Sequence, residues 1–161
     1  MKLETRITLF LFCLMVFAIS RPTTAQEQSL RLQEQLIGEW TAISVVSSGK
    51  ETAIPGERTQ ELTLKFTGKN FEGREHKAKR EKADEFKGGY LLDTDVQPAT
   101  LDLILGSGER DRIVGIIRIE DGKLMLCSDS LMGRLKRPSA FESTESSGFD
   151  LLVFKRVVNI K

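Results

Sequence analysis

Few residues in this sequence are of the types that perform chemistry. His76 is the only histidine, so no metal site built on paired histidines can form. It lies in the strongly charged run of residues 74–82, which predicts a solvated hairpin tip because runs of charge usually stay in water. A haem ligand is the alternative role for this histidine. The residue types predict no metal site and no cofactor.

Cys127 is the other side chain that could act as a nucleophile. It follows the apolar run Leu124-Met125-Leu126, and a free cysteine in such a strand is usually a small buried hydrophobe. A nucleophilic thiol needs an activating base, and the only histidine lies in a different predicted hairpin. No Gly-x-Ser-x-Gly motif, phosphate-binding glycine loop or metal-ligand spacing occurs, and the carboxylates are scattered through predicted turns. The sequence therefore predicts a protein that is not an enzyme.

The basic residues of the charged run, with Arg134, Lys136 and Arg137, form a candidate patch for an anionic surface or polysaccharide. Acidic residues interleave with them, and the run lacks the aromatic residues on which single-stranded nucleic acids stack. Over the whole chain, 24 Lys and Arg stand against 23 Asp and Glu, a formal charge of +1. Because nucleic-acid binding depends on net positive charge, we expect no nucleic-acid partner.

Residues 1–25 predict a secretory signal peptide. Two basic residues precede a mostly apolar stretch at residues 7–19, and Thr23-Thr24-Ala25 offers a small-residue cleavage site. The stretch is shorter than the ~20 residues that span a bilayer, so no membrane-spanning segment is expected after cleavage. Cleavage after Ala25 would leave a formal charge of −1 and Cys127 as the only cysteine. The predicted location is the periplasm, the cell envelope or the medium, and no internal disulfide is expected.

The remaining residues predict one domain that must position these side chains. Residues 26–37 form a short helical lead-in that ends at Gly38, and residues 38–158 form the domain. Asp121-Gly122 is typical of a tight hairpin turn. Eight strands are predicted, at residues 39–46, 61–66, 71–77, 89–93, 100–105, 113–119, 123–128 and 149–156. This all-β pattern is typical of an antiparallel barrel or sandwich.

Several blocks of the sequence resemble a known family. Gly38-x-Trp40 after a short helix resembles the opening of lipocalin-type barrels. Together with further blocks, it resembles a family of small exported, lipocalin-like domains that is abundant in planctomycete bacteria and functionally uncharacterised. Those blocks are Gly49-Lys50, Leu64-x-Phe66, Leu101-Asp102-Leu103, Gly115-Ile116-Ile117, Asp121-Gly122-x-Leu124-x-Leu126-Cys127, Arg137-Pro138-x-x-Phe141 and Leu151-Leu152-Val153-Phe154-Lys155-Arg156.

The resemblance implies an eight-stranded antiparallel lipocalin-like barrel over residues 36–156, and it supplies no activity. It also implies that Trp40 plugs one end of the barrel beneath Lys155 or Arg156 of the last strand. The charged run at residues 74–82 is longer than the family's hairpin and alters the expected barrel mouth. Structural roles are expected for Gly38, Trp40, Arg137, Pro138, Phe141 and Arg156.

Strand alternation predicts which side chains face the barrel interior. The residues expected to line a ligand site there are Leu62, Leu64, Phe66, Leu101, Leu103, Ile117, Leu126 and Leu151. An eight-stranded barrel either fills its interior with side chains or holds one small ligand. The favoured function is therefore binding of a small apolar or amphipathic ligand in the barrel. The alternative is a cell-envelope interaction module with a filled barrel that binds a protein or polymer through its loops.

The predicted outer face of the barrel is also partly apolar. It carries Val114, Ile116, Leu152 and Phe154 in this prediction. Because exposed apolar patches of this size are unusual, we expect the helix at residues 30–36 or another subunit to cover them.

Overall fold

The computed structural model of the protein describes residues 25–55, 59–79, 82–106, 111–129 and 135–158. Residues 1–24, which make up all but the last residue of the predicted signal peptide, lie outside the described residues, as does Arg134 of the candidate basic patch. The described residues form one helix and nine strands. These are α1 (Ala25–Leu36), β1 (Gly38–Ser47), β2 (Lys50–Ala53), β3 (Thr59–Thr67), β4 (Asn70–Lys77), β5 (Asp84–Asp93), β6 (Thr100–Ile104), β7 (Arg112–Glu120), β8 (Lys123–Asp129) and β9 (Phe149–Arg156).

The strands form a single sheet that closes on itself. Each strand from β3 to β9 is hydrogen-bonded to the next one in antiparallel fashion, and β9 returns to pair with β1. The short β2 pairs with residues 44–47 of β1, whereas β3 pairs with residues 38–41 on the same edge of that strand. Strands β2 and β3 therefore share one position, and the barrel has eight. The predicted all-β, eight-stranded antiparallel barrel with a short N-terminal helix is confirmed.

Two-residue turns join β1 to β2 and β7 to β8. The φ angles are 51° and 76° at Ser48 and Gly49, and 51° and 71° at Asp121 and Gly122. Positive φ at both central residues is characteristic of the type I′ turn, whose twist matches that of the strands it connects. The hairpin turn predicted from Asp121-Gly122 is therefore confirmed.

The core consists of inward side chains from the strands together with residues of α1 and the connections. On β3, for example, Leu64 and Phe66 are buried while Lys65 between them is exposed, as strand alternation requires. The buried core cluster is Leu36, Trp40, Ala42, Ile54, Leu64, Phe66, Phe71, Tyr90, Ala99, Leu101, Leu103, Ile117, Leu124, Leu126 and Phe154.

The last strand faces the opposite way from its prediction. Phe154 belongs to the core and Leu152 packs against it. Leu151 is paired with Cys127, whose neighbour Leu126 points into the core, so Leu151 lies on the outer face. The assignment of Leu151 to the interior, and of Leu152 and Phe154 to the outside, was therefore wrong by one residue. The strand is apolar on both faces, so its own alternation does not reveal which face is buried.

Helix α1 does not cover the outer face of the barrel, contrary to one of the two expectations. Leu36 is fully buried in the core cluster and Leu32 packs against that cluster, so the helix inserts its apolar side at one end of the barrel. Leu30, on the other side of the helix, is 53% exposed.

The outer apolar face is covered instead by residues 135–148, which precede β9 and are named the covering segment here. Val114 and Ile116 are buried although they are not part of the core cluster. Arg137 Nη1 of the covering segment donates a hydrogen bond to Gly115 O at 2.6 Å, between these two side chains. Pro138 of the same segment is buried. The chain therefore covers its own outer patch.

Candidate functional site

The barrel has two different ends. The closed end, where α1 inserts, contains the Asp121-Gly122 turn, Trp40 and the C-terminal part of β9. The open end contains the Ser48-Gly49 turn, the junction of β4 with β5, and the start of β9. The contents of the interior at these two ends decide where a ligand could bind.

A clasp around Trp40 seals the closed end. Its indole is fully buried, and Nε1 donates a hydrogen bond to Leu36 O at 2.9 Å. The guanidinium of Arg156 lies over the indole, 4.4 Å from the ring centroid, a cation–π arrangement. Arg156 also donates hydrogen bonds to Ile37 O, at 2.8 Å, and to Gln35 O. Of the two cations considered for this position, Arg156 is the one that contacts the ring.

Gly38 makes room for this clasp. Its φ of +130° lies in a region that side chains disfavour, and a Cβ atom there would lie 2.6 Å from Arg156 Nη1. A side chain at position 38 would therefore push the guanidinium away from the carbonyl groups that it binds.

Aromatic side chains fill the interior next to the clasp. Phe66 and Phe71 are fully buried, with their ring centroids 6.3 Å apart. Tyr90 meets Phe66 edge-to-face at 5.3 Å, and its hydroxyl donates a hydrogen bond to Gly68 O at 2.5 Å. Burial raises the pKa of the Tyr90 phenol. The closed half of the interior is therefore packed with side chains.

Inward apolar side chains in the open half are only partly buried, although they pack against the core cluster. They come from β1, β3, β5, β7 and β9 and from the residue that follows β6, and they form an apolar lining. The lining comprises Val45, Leu62, Phe86, Leu105, Ile113 and Leu152.

Phe86 shows how the lining is arranged. Its ring lies directly over the backbone of Gly73 on the neighbouring strand, because a Cβ atom at position 73 would be 2.0 Å from the ring. The ring also meets Phe71 edge-to-face at 6.2 Å. The glycine therefore lets a large ring pack against the β4 wall, at the boundary between the packed half and the open half.

Charged residues occupy the interior face of β4 and β5 at the open end. Glu75 is paired with Leu62 on one side and with Asp84 on the other, so both carboxylates share the face of the lining. Lys77 Nζ lies 3.2 Å from Asp84 Oδ2 and 3.3 Å from Glu75 Oε2. Hydrogen bonds to Asp84 and then to Glu75 raise the pKa of Lys77. Residues 74–77 belong to the paired strand predicted at residues 71–77, and the junction with β5 lies beyond Lys77.

The opposite wall carries a row of small and polar side chains. Gly115 on β7 is paired with Ser128 on β8, Ser128 with Asp150 on β9, and Asp150 with Ser47 on β1. Leu126 and Leu152, two residues away on β8 and β9, face the interior, so Ser128 and Asp150 face it too. Ser128 is only 6% exposed.

The predicted site residues divide between the packed half and the open half. Leu62 alone lies in the lining of the open half. Leu64, Phe66, Leu101, Leu103, Ile117 and Leu126 are buried members of the core cluster, and Leu151 lies outside the barrel. The prediction missed Phe86, which lies in the polar stretch Asp84-Glu85-Phe86-Lys87, and Leu152, which it placed on the wrong face.

The covering segment is joined to the barrel by a buried ion cluster. Asp102 points outward from β6 and is 4% exposed. Its Oδ1 lies 2.7 Å from Arg137 Nη2, and its Oδ2 accepts a hydrogen bond from Arg112. Further along the segment, Phe141 lies under the guanidinium of Arg118, with 4.9 Å from that group to the ring centroid.

The remaining candidates for chemistry lie outside the barrel interior. His76 is half-buried on β4 and paired with Glu61, on the face opposite to Glu75. Cys127 is buried on the outer face, where its Sγ lies 3.6 Å from Glu142 O. Burial raises the pKa of this thiol. Within the described ranges, no group of three or more histidine, cysteine or carboxylate side chains could hold a metal ion.

The candidate basic patch is dispersed. Arg137 pairs with Asp102, and Lys136 lies over the ring of Phe149, 5.1 Å from its centroid. In the part of the chain that the structure describes, no helix has the length and apolar character that crossing a membrane requires.

Solved structures match the chain only at low similarity. The crystal structure of Echinococcus granulosus fatty-acid-binding protein 1 is 12% identical, with a TM-score of 0.37, and the match covers 78% of this chain and 99% of that one. The crystal structure of a point mutant of the fluorescent protein UnaG is 13% identical, with a TM-score of 0.34 and coverage of 79% and 99%. No protein-family model and no curated protein matches the chain. The lipocalin-like barrel fold is given by the up-and-down strand order and the closure of β9 on β1.

Proposed function

We propose that this protein is an exported, non-enzymatic barrel that binds one small apolar or amphipathic ligand at its open end. The observation that carries the proposal is the contrast in burial along the interior. The large side chains of the packed half, Trp40, Phe66 and Phe71, are fully buried, whereas the inward apolar residues of the open half remain partly exposed. Leu32, Leu92 and Ile119, at the edge of the closed end, are also partly exposed.

The lining supplies the driving force for such binding. Covering apolar surface contributes about 25 cal/mol for each Å² removed from water. Leu62 and Phe86 stand on one part of the wall, while Ile113 and Leu152 stand on strands further around the barrel. A ligand inserted between them would therefore bury apolar surface on several sides at once.

The packed half limits how deep the ligand can go. Phe66, Phe71 and Tyr90 occupy the interior beneath the lining, and the Trp40 clasp seals the end. The apolar part of the ligand therefore lies in the open half, with its other end towards the charged and polar side chains of the open end.

The proposal that the protein is exported is supported by the signal-type pattern at residues 1–25. It is also supported by the sequence blocks that resemble exported lipocalin-like domains. Mass determination of the protein isolated from its own host tests export, because cleavage after Ala25 would leave a chain beginning at Gln26. An intact N-terminus on the isolated protein would refute it.

Ligand binding is tested with the neutral fluorescent probe N-phenylnaphthylamine. Saturable binding is expected for the wild-type protein, and Leu62→Asn should weaken it by about tenfold because one wall of the lining becomes polar. Leu91→Asn is the matched control, since Leu91 is 55% exposed on the outer face of β5.

Equal binding by both variants would place the probe outside the barrel and refute the proposed site. Absence of probe binding, with no small molecule in the native mass spectrum of the protein from its host, would favour the alternative. That alternative is a filled barrel that binds an envelope protein or polymer through its loops.

A further inference from the structure

We propose that the ligand carries a protonated amine, which Asp150 and Ser128 bind at the open end of the barrel. This inference rests on the proposed function and adds the charge and the hydrogen-bonding character of the ligand's polar group. It predicts that a fatty-acid type of ligand, which carries the opposite charge, is disfavoured.

The first argument is the position of the Ser128 hydroxyl group. The residue is only 6% exposed and its side chain faces the interior between Gly115 and Asp150. A hydroxyl both donates and accepts hydrogen bonds, so at this position it offers a polar contact to a ligand in the open half of the barrel.

The second argument is the carboxylate beside it. Asp150 is the direct cross-strand partner of Ser128, and such partners have Cβ atoms about 4.5–5.5 Å apart. Asp150 is partly buried, and none of the salt bridges found between described residues involves it. One ligand group can therefore contact both side chains.

The third argument is the space at this level of the wall. Gly115 continues the row on the other side of Ser128, and a Cβ atom there would lie 2.7 Å from Cys127 O and 3.2 Å from Ser128 Cβ. A side chain is therefore excluded next to the serine. The row Gly115, Ser128, Asp150 and Ser47 forms a polar recess beside the apolar lining.

The charges on the rest of the open end favour a cation as well. Lys77 on the opposite wall is already held by Glu75 and Asp84, so these three groups together carry one negative charge. Lys50 is paired with Ser47 at the rim, where it is exposed to solvent. With Asp150 included, the five groups sum to a formal −1.

A primary ammonium group matches this recess. It has three N–H donors, and both the Asp150 carboxylate and the Ser128 hydroxyl oxygen can accept from it. A ligand carboxylate would instead meet the Asp150 carboxylate at close range, where like charges repel. An alcohol could bond to Ser128 but would gain no charge interaction.

The experiment compares three probes that share one alkyl chain, namely dodecylamine, dodecanol and dodecanoate. Each displaces N-phenylnaphthylamine from the full protein at neutral pH, below the concentration at which it forms micelles. Dodecylamine should bind about tenfold tighter than dodecanol, and dodecanoate weaker than both. Added salt should reduce these differences, because the recess is partly open to solvent.

Two variants locate the effect. Asp150→Asn should bring dodecylamine and dodecanol to within about twofold of each other, whereas Ser128→Ala should weaken both of them. Asp121→Asn makes the same chemical change at the exposed turn of the closed end and should leave all three affinities unchanged. Thermal unfolding of each variant shows whether it is folded.

The outcomes separate this inference from the proposed function. If the neutral probe binds but dodecanoate competes as well as dodecylamine, the barrel binds ligands and the amine inference is refuted. A preference for dodecylamine that survives in Asp150→Asn also refutes it. If the neutral probe does not bind at all, the proposed function itself fails.

Discussion

Replacement of Asp102 by asparagine tests how the covering segment is attached to the barrel. The wild-type carboxylate is 4% exposed and accepts from Arg112 while lying 2.7 Å from Arg137 Nη2. Asparagine keeps the size of the side chain but removes the negative charge. The two guanidinium groups then remain close together without a counter-charge.

The size of the expected loss in unfolding free energy depends on how deeply the ion cluster is buried. Breaking a fully buried ion pair by removing one partner costs about 3–5 kcal/mol. The side chains of Arg112 and Arg137 are 38% and 34% exposed, so water can partly rehydrate them after the change. We therefore expect the free energy of unfolding to fall by about 2 kcal/mol, below the range for fully buried pairs. For a domain of this size that corresponds to a fall of about 4–8 °C in Tm.

The assay is urea unfolding followed by the fluorescence of Trp40, the only tryptophan. Asp95→Asn, on an exposed residue of the β5–β6 connection, is the matched control and should change stability by less than about 0.5 kcal/mol. In Arg137→Gln, the cost of Asp102→Asn should shrink, because one of the two uncompensated charges is gone. A cost for Asp102→Asn no larger than that of the control would refute the reasoning.

Three further predictions concern the packed parts of the structure. Gly88→Ala should destabilise the fold by roughly 2 kcal/mol or more in urea unfolding, because its Cβ would meet Ile104 O and overpack the sheet. Gly89→Ala on the same strand is the matched control and should cost less, because its Cβ would lie 3.6 Å from Lys69 O, an ordinary contact distance. Trp40→Ala should lower the free energy of unfolding by about 3–5 kcal/mol, and an unchanged unfolding midpoint would contradict the clasp. Burial raises the pKa of the Cys127 thiol, so the folded protein retains its proton more strongly than the unfolded chain does. Stability is therefore complete below the ordinary thiol pKa and falls as pH rises above it; Cys127→Ala should remove this part of the pH dependence in thermal unfolding.

Most of the barrel is predictable from sequence because its strands bury one face and expose the other. On β3, Leu64 and Phe66 alternate with Lys65, and Asp121-Gly122 marks the turn between β7 and β8. Strand β2 could not be predicted in this way. All four of its residues, Lys50–Ala53, are exposed, so its sequence has no alternation of apolar and polar residues.

The candidate site was less predictable, for two physical reasons. Leu152 lies in a strand that is apolar on both faces, so only its pairing with Leu126 on β8 reveals that it points inward. Phe86 is surrounded by charged residues in sequence, and its inward position depends on the missing side chain of Gly73 across the strand. In both cases the inward position of the side chain is determined by the pairing between strands, which the sequence of a single strand does not show.

The outer ion cluster was also missed. Asp102 stands between two leucines that both enter the core, so alternation places it on the outside. Its burial depends on Arg137 and the rest of the covering segment, which are distant in sequence. The signal that could have revealed it is a charged residue on an outer face that is otherwise apolar.

The closure of β9 on β1 has a consequence for how the chain folds. The hydrogen bond from Arg156 to Ile37 O joins residues 119 positions apart, and the whole β1–β9 ladder has a comparable separation. Pairings this distant carry a large loop-closure entropy, whereas the β7–β8 hairpin forms across two turn residues. The neighbouring hairpins are therefore expected to assemble first and the ladder between the first and last strands to form late. Folding should then take milliseconds to seconds, the range typical of barrels dominated by contacts between distant residues.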